Sequence, residues 1–353
     1  MSADLAGNCV ADFRKYSNTV AVSSAISHLF QTDTRLGHFI GSEHRLLASS
    51  PDETLTPDIT AVYDGDSRGL LFELKYSLPT DIRSVKEKLL NLAKYSRVRN
   101  GWGVKGPVHS ADFVLVCHVE DVKRAVDAAG QVFAETQDPF YDPKSFSIWY
   151  WTISTPRENE RKEEMRLVHA YGGTRNSVLQ QLIGQPGGIP IPEDVLMMLR
   201  FTNLFIREKP PVQYTIVLLI QNVFSALPPP HRIGRRYYEV SLDLIYQKAN
   251  SLFPPWWEDA VETRQVKRGW IKEALDTLVK LQMVKGIPQK RDSYSVPIPT
   301  LVIRKPLHEA ICQRLISLKK ARRRASRASI PKRVPSKRPL GVRPLTEFLE
   351  NRK

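Results

Sequence analysis

Two carboxylates and a lysine are spaced for phosphate chemistry around residue 60. The stretch Pro57-Asp58-Ile59-Thr60-Ala61-Val62-Tyr63 leads into Asp64-Gly65-Asp66-Ser67-Arg68-Gly69 and then Leu70-Leu71-Phe72-Glu73-Leu74-Lys75. Two apolar runs around a Gly- and Asp-rich break predict a β-hairpin. Its open end brings Asp58 close to Glu73 and Lys75. Side chains alternate along a strand, so Glu73 and Lys75 share one face and Leu74 takes the other. Two carboxylates and one ammonium beside a core make a seat for a divalent metal and a phosphate. The alternative is a solvated edge hairpin carrying a surface ion pair.

The pattern resembles the PD-(D/E)XK, or restriction-endonuclease-like, nuclease superfamily over about the first half of the chain. Asp58 falls on the family's aspartate, Glu73 on its acidic residue and Lys75 on its lysine. The resemblance implies a metal-dependent phosphodiesterase in which Asp58, Glu73 and the backbone carbonyl of Leu74 hold Mg²⁺ or Mn²⁺. A hard cation prefers oxygen ligands and keeps waters, one of which becomes the nucleophile. Lys75 would orient or deprotonate that water or offset charge on the phosphate. Many members carry a further glutamate upstream; Glu43, just before the first candidate strand, is the best candidate here. Several branches place a Gln-x-x-x-Tyr pair on the following helix, where this chain has Asn91 and Tyr95. The same Glu/Asp-x-Lys triplet at Asp121-Val122-Lys123, Asp142-Pro143-Lys144 and Glu160-Arg161-Lys162 lacks the strand context and carries no such meaning.

The elements that must position these groups are readable by periodicity. Helices are predicted over Asn18–Gln31, Asp81–Arg97, with Asn91 and Tyr95 on one face, and Asp121–Glu135. Strands are predicted over Arg45–Ala48, Ala111–Cys117, Ser145–Ser154 and Met165–Tyr171. This order predicts an α/β fold, a mixed sheet flanked by helices, over residues 10–175. A linker and connecting helix follow over 176–210, with breakers at Gly184–Pro192 and a helix at Glu193–Phe205.

Residues 211–305 read as helix (Val212–Leu227), strand (Tyr237–Ser241), helix (Leu242–Phe253), helix (Thr263–Val284) and a hairpin with its strands near Lys285–Ile287 and Ser293–Val296. That order is similar to a winged helix-turn-helix domain. The resemblance puts Arg264, Lys267, Arg268 and Lys272 of the third helix, with Lys290 and Arg291 of the wing, against DNA. The alternatives are a protein–protein module and a merely solvated basic face. Residues 306–353 read as a basic helix, Leu307–Leu318, and a disordered tail whose Arg322, Arg323 and Arg324 add salt-sensitive phosphate binding.

Composition sets the bounds. The 353 residues carry a net charge of +15, unevenly placed. Residues 1–175 hold 21 Lys and Arg against 23 Asp and Glu, and the rest hold 31 against 14. A near-neutral catalytic half joined to a basic half assigns DNA affinity to the second. Cys9, Cys117 and Cys312 lie far apart without a CxxC pair, which argues against a zinc site or disulfide framework and for a reducing compartment. No apolar run reaches membrane-spanning length and no signal-peptide pattern opens the chain, so a cytoplasmic location, nuclear in a eukaryote, is expected. The reading is therefore a DNA endonuclease using metal-activated water, acting as a homodimer or with a second subunit where both strands are cut. Its rivals are a catalytically inactive DNA-binding scaffold or regulator, and a nuclease acting on RNA.

Overall fold

A computed structural model describes residues 2–42, 44, 46–48, 54–136, 142–154, 164–191, 208–227, 237–252, 266–288, 290, 292–297 and 307–328. The chain opens with α1 (Ser2–Thr32). The strands β1 (His38–Ser42), β2 (Leu46–Ala48), β3 (Thr54–Leu55), β4 (Ile59–Tyr63) and β5 (Arg68–Lys75) follow. Next come α2 (Ile82–Leu92), β6 (Val98–Asn100), β7 (Ser110–His118), α3 (Val119–Glu135), β8 (Phe146–Ser154), β9 (Glu164–Gly172), α4 (Ser177–Ile183) and β10 (Ile189–Ile191).

Seven of these strands form one mixed sheet in the order β1-β4-β5-β7-β8-β9-β10. β1, β4 and β5 are antiparallel neighbours, whereas β5, β7 and β8 run parallel through the crossover helices α2 and α3. One face buries Ala21, Val22, Ile26 and Phe30 of α1 with Leu179 and Ile183 of α4. The other buries Val85 and Leu89 of α2 with Ala125, Ala128 and Val132 of α3. The result is the expected α/β class, a sheet between two helical layers.

β5 shows why the sequence folds this way. It lies between β4 and β7, so both faces are covered, and a strand so placed reads as a continuous apolar run. Leu70, Phe72 and Leu74 pack toward α1, and Leu71 packs toward α2 and α3. Burying each such side chain contributes about 1.5–3 kcal/mol relative to exposure. Gly69 is required by a close approach, because a Cβ there would lie 2.1 Å from the Trp102 ring. At the turn, Asp64, Gly65 and Asp66 all take positive φ, at 58°, 63° and 67°. Asp and Gly tolerate that conformation better than other residues. A central β5 removes the solvated-edge alternative.

Several boundaries move for tertiary reasons. α1 begins well before residue 18, because its first half packs on the C-terminal helices. The helix predicted over Asp81–Arg97 is α2, N-capped by the Asp81 carboxylate on the Ser84 N–H at 2.8 Å, and then a tighter 3₁₀ segment, Ala93–Arg97. Asn91 is consequently exposed while Tyr95 is buried. The segment 176–210 is not linker throughout, since α4 packs on the sheet and β10 pairs with β9. Pro190 sits on this edge strand, where its missing N–H costs no ladder bond. The connecting helix expected at Glu193–Phe205 lies outside the described residues.

The second unit contains α5 (Val212–Leu218), a wide turn at Leu219–Val223, β11 (Tyr237–Ser241), α6 (Leu242–Leu252), α7 (Arg268–Lys280), β12 (Lys285–Gly286), β13 (Ser293–Pro297) and α8 (Leu307–Ala328). β11, β13 and β12 form a small antiparallel sheet in that order. Tyr16 and Val20 of α1 share a core with α5, α6, α7 and α8. One helix thus belongs to two cores. Among the described residues no helix is long and apolar enough to cross a membrane.

Cys9 on α1 and Cys312 on α8 form a disulfide, their Cα atoms 5.7 Å apart and 303 residues apart in sequence. This bond runs against the expectation that argued from the wide spacing against a disulfide framework. Wide spacing says nothing about proximity once both helices pack side by side, as the stacking of Phe13 on His308 at 4.7 Å also shows. Cys117 is free and buried, and burial pushes its thiol up to about 12. Thiol titration of the denatured, unreduced protein should therefore find one thiol, and three after reduction. Cys312→Ser should lower stability by about 2–5 kcal/mol. Three thiols without reduction would rule out the bond.

Candidate active site

Parity along two paired strands brings the chemistry together. Ile59 pairs with Phe72, so the register continues to Asp58 opposite Glu73. Leu71, Glu73 and Lys75 alternate onto the face covered by α2 and α3, and Asp58 joins them as Val62 does. Lys75 ends β5 at the carboxyl edge of the parallel strands, where open α/β sheets present their ligand sites.

Asp58 and Glu73 are buried, at 3% and 8% exposure. A buried charge must be paired or hydrogen-bonded. The Leu74 N–H donates to Asp58 Oδ2 at 2.6 Å. Lys75 Nζ donates to Glu73 Oε1 at 2.8 Å and the Tyr95 hydroxyl donates to Glu73 Oε2 at 3.0 Å. Burial works against the Lys75 ammonium, but Glu73, Asp58 and Glu208 outweigh it and hold its pKa above the usual lysine range. Lys75 is thus a fixed cation in this state and not a proton acceptor.

A small cavity of about 180 Å³ opens beside these groups, bordered by Glu73, Lys75, Lys88 and Asn91. Among the described residues no group of three or more His, Cys, Asp or Glu side chains could hold a metal ion on its own. Two buried carboxylates, of which Glu73 lines the cavity, nevertheless suit a hard cation that keeps several waters, because Mg²⁺ is commonly bound through one or two carboxylates. The donor set therefore fits Mg²⁺ or Mn²⁺.

A larger cavity, of about 700 Å³, lies at the opposite, turn end of the hairpin. Its cations have partners: Arg35 with Asp33 at 2.6 Å, Arg68 with Asp64 at 3.2 Å and Arg175 with Asp142 at 3.0 Å. His38 there contacts Asp66 at 2.9 Å. Size alone does not make it the site, since its charges already neutralise one another.

Of the predicted supporting residues, Tyr95 touches Glu73 directly, whereas Asn91 borders the cavity. They reach the site from different turns and not from one helix face. Leu74 contributes its N–H to Asp58. Glu43 lies outside the described residues, as do Arg264 and Arg291. Lys267 precedes α7 with its ammonium 5.2 Å from the Trp270 ring. Arg268 pairs with Asp243 at 2.9 Å and Asp292 at 3.8 Å, and Lys272 pairs with Asp292. Lys290 lies 3.9 Å from Glu239. Arg322, Arg323 and Arg324 are on α8, with side chains outside the described set.

Glu208 went unread in the sequence. Its Oε2 accepts the Tyr76 N–H at 3.2 Å, one residue beyond Lys75. Burial pushes its carboxyl up, against the opposing pull of Lys75 and Lys88. No local signal marks it, because it stands 132 residues from Tyr76 in the chain. Lys88 was findable, lying one turn before Asn91 on α2.

No family model, curated protein or solved structure matches the chain. The site therefore rests on its own geometry. Tyr95→Phe deletes a hydrogen bond to a buried carboxylate and should lower stability by about 2 kcal/mol. A urea melt reads this as a lower midpoint, and an unchanged midpoint would show that the bond contributes nothing.

Proposed function

We propose that the chain is a metal-dependent DNA endonuclease of the PD-(D/E)XK kind, with a winged-helix-like second unit. One observation carries this reading: Asp58, Glu73 and Lys75 meet on one face at the carboxyl end of a central, otherwise apolar strand. A bystander strand so deeply buried has no reason to hold Glu73 and Lys75 with a third ionisable group, Asp58, brought against them from just before β4. The run α1, β1, β4, β5, α2, β7 agrees with the helix, strands, helix, strand order of the resemblance. The run α5, β11, α6, α7, β12, β13 likewise supports the winged-helix reading.

In this proposal Asp58 and Glu73 hold Mg²⁺ or Mn²⁺, which when bound supplies Lewis acidity and lowers the pKa of coordinated water. The protein supplies position. The Leu74 N–H fixes the Asp58 carboxylate and the Tyr95 hydroxyl fixes Glu73. Lys75 faces the scissile phosphate as a permanent cation and offsets charge that grows there during attack. Its role is electrostatic, and deprotonating water falls to another group. DNA is the partner, with a homodimer or second subunit needed where both strands are cut.

Purified protein incubated with supercoiled plasmid and Mg²⁺ or Mn²⁺ should nick or linearise it. Lys75→Met and Asp58→Asn should reduce the rate by about 100-fold or more, in line with the loss of one transition-state charge contact. Undiminished cleavage by either variant would sink the site assignment. Intact duplex binding without cleavage by the unmodified protein would favour the inactive scaffold, and preferential cleavage of RNA would favour the RNA reading.

The basic face of α7 makes a quantitative contribution in this proposal. Its ion pairs with Asp243 and Asp292 are partly exposed and worth little each, so phosphates can displace them. Each phosphate contact adds roughly one to the slope of log affinity against log salt. Arg268→Ala with Lys272→Ala should lower that slope by about two, measured by fluorescence anisotropy on a duplex. An unchanged slope would remove α7 from the DNA interface.

A further inference from the structure

We infer that Glu208 is a positioning residue of this centre, a second seat for the Lys75 ammonium when a divalent cation takes Glu73. The inference rests on the nuclease reading of Asp58, Glu73 and Lys75.

Both oxygens of Glu73 are in use, Oε1 by Lys75 at 2.8 Å and Oε2 by Tyr95 at 3.0 Å. A cation at Glu73 and the ammonium cannot share Oε1, because like charges at contact repel strongly where water is sparse. Lys75 must then move, and its side chain is only 20% exposed. A displaced ammonium in such a place needs a counter-charge. Asp58 is committed, with one oxygen on the Leu74 N–H and a share in holding the cation. Among the described residues Glu208 is the remaining carboxylate at this end of β5, its Oε2 on the N–H of Tyr76, the residue after Lys75, and its charge acts on Lys75.

Glu208 is also held in place for the task. Its Oε2 accepts from Tyr76 N–H at 3.2 Å, which ties it to the residue following Lys75. Its backbone carbonyl accepts the Tyr16 hydroxyl at 3.2 Å. The adjacent Lys209 pairs with Glu273 of α7 at 2.7 Å. The backbone around Glu208 is thus fixed by α1 and α7 while its carboxylate is held at the end of β5, beside Lys75.

The test uses the full chain and Mn²⁺ binding by calorimetry, without substrate. Glu208→Gln keeps an acceptor for the Tyr76 N–H and removes the charge. It should bind Mn²⁺ about tenfold more weakly, the loss expected of a residue supporting a metal ligand from outside its shell. In a Lys75→Met background the same change should matter by no more than about twofold, because no ammonium is left to rehouse. Thermal melts without metal confirm that each variant is folded. Equal affinity for the unmodified protein and Glu208→Gln would overturn the inference alone. A tenfold loss that persists with Lys75→Met would also overturn it, since Glu208 would then act only as nearby negative charge. Failure of the unmodified protein to bind Mn²⁺ would bring down the nuclease reading and this inference together.

Discussion

Two carboxylates are buried inside a sheet against an ammonium and a few N–H and O–H groups. That balance sets the demands on everything around it. Glu73 tolerates burial because Lys75 and Tyr95 occupy its oxygens, and Asp58 because Leu74 turns its N–H toward it. Removing one member leaves the others short of compensation, and breaking a buried pair costs about 3–5 kcal/mol.

The layers exist to keep that balance in register. A one-residue slip of β4 against β5 would send Asp58 to the opposite face and put its charge into the apolar layer under α1. The apolar alternation of β5 prevents the slip, because Leu70, Phe72 and Leu74 have no other place to go. The tight turn at Asp64-Gly65-Asp66 reinforces it from the closed end. On the outside, α1 ties the sheet to the C-terminal helices by lending Tyr16 and Val20 to one core and Ile26 and Phe30 to the other. The same helix that packs on the second unit therefore also covers β5.

Much of this was legible in the sequence, and the boundary of legibility has a physical cause. The hairpin, its turn and the shared face of Glu73 and Lys75 follow from a period of two and from turn residues, which are local facts. The parallel strands β7 and β8 and helix α3 announced themselves by apolar runs and stripes in the same way. Glu208 and the Cys9–Cys312 pair did not, because each is a meeting of segments far apart in the chain and nothing in either segment names its partner. Tyr95 lay between these cases: its type was readable, but a shift from α-helical to 3₁₀ winding after Leu92 decides where its hydroxyl points. The basic residues of α7 show the same boundary. The basic pattern of Arg268 and Lys272 is visible in the sequence, but Asp243 and Asp292, which arrive from neighbouring elements to pair with them, are not.

The bond between Cys9 and Cys312 also decides how the molecule bears mechanical load. Tension applied to the chain outside those two positions passes from α1 to α8 through two sulfur atoms and bypasses the 302 residues between them. The seven-stranded sheet and its buried charges then lie in a slack loop, shielded from any pull transmitted by a partner holding the chain ends. Once the bond is reduced, the same pull reaches the packing of Phe13 against His308 and then the shared cores. A covalent closure of two helices thus separates the sheet from force as well as from unfolding.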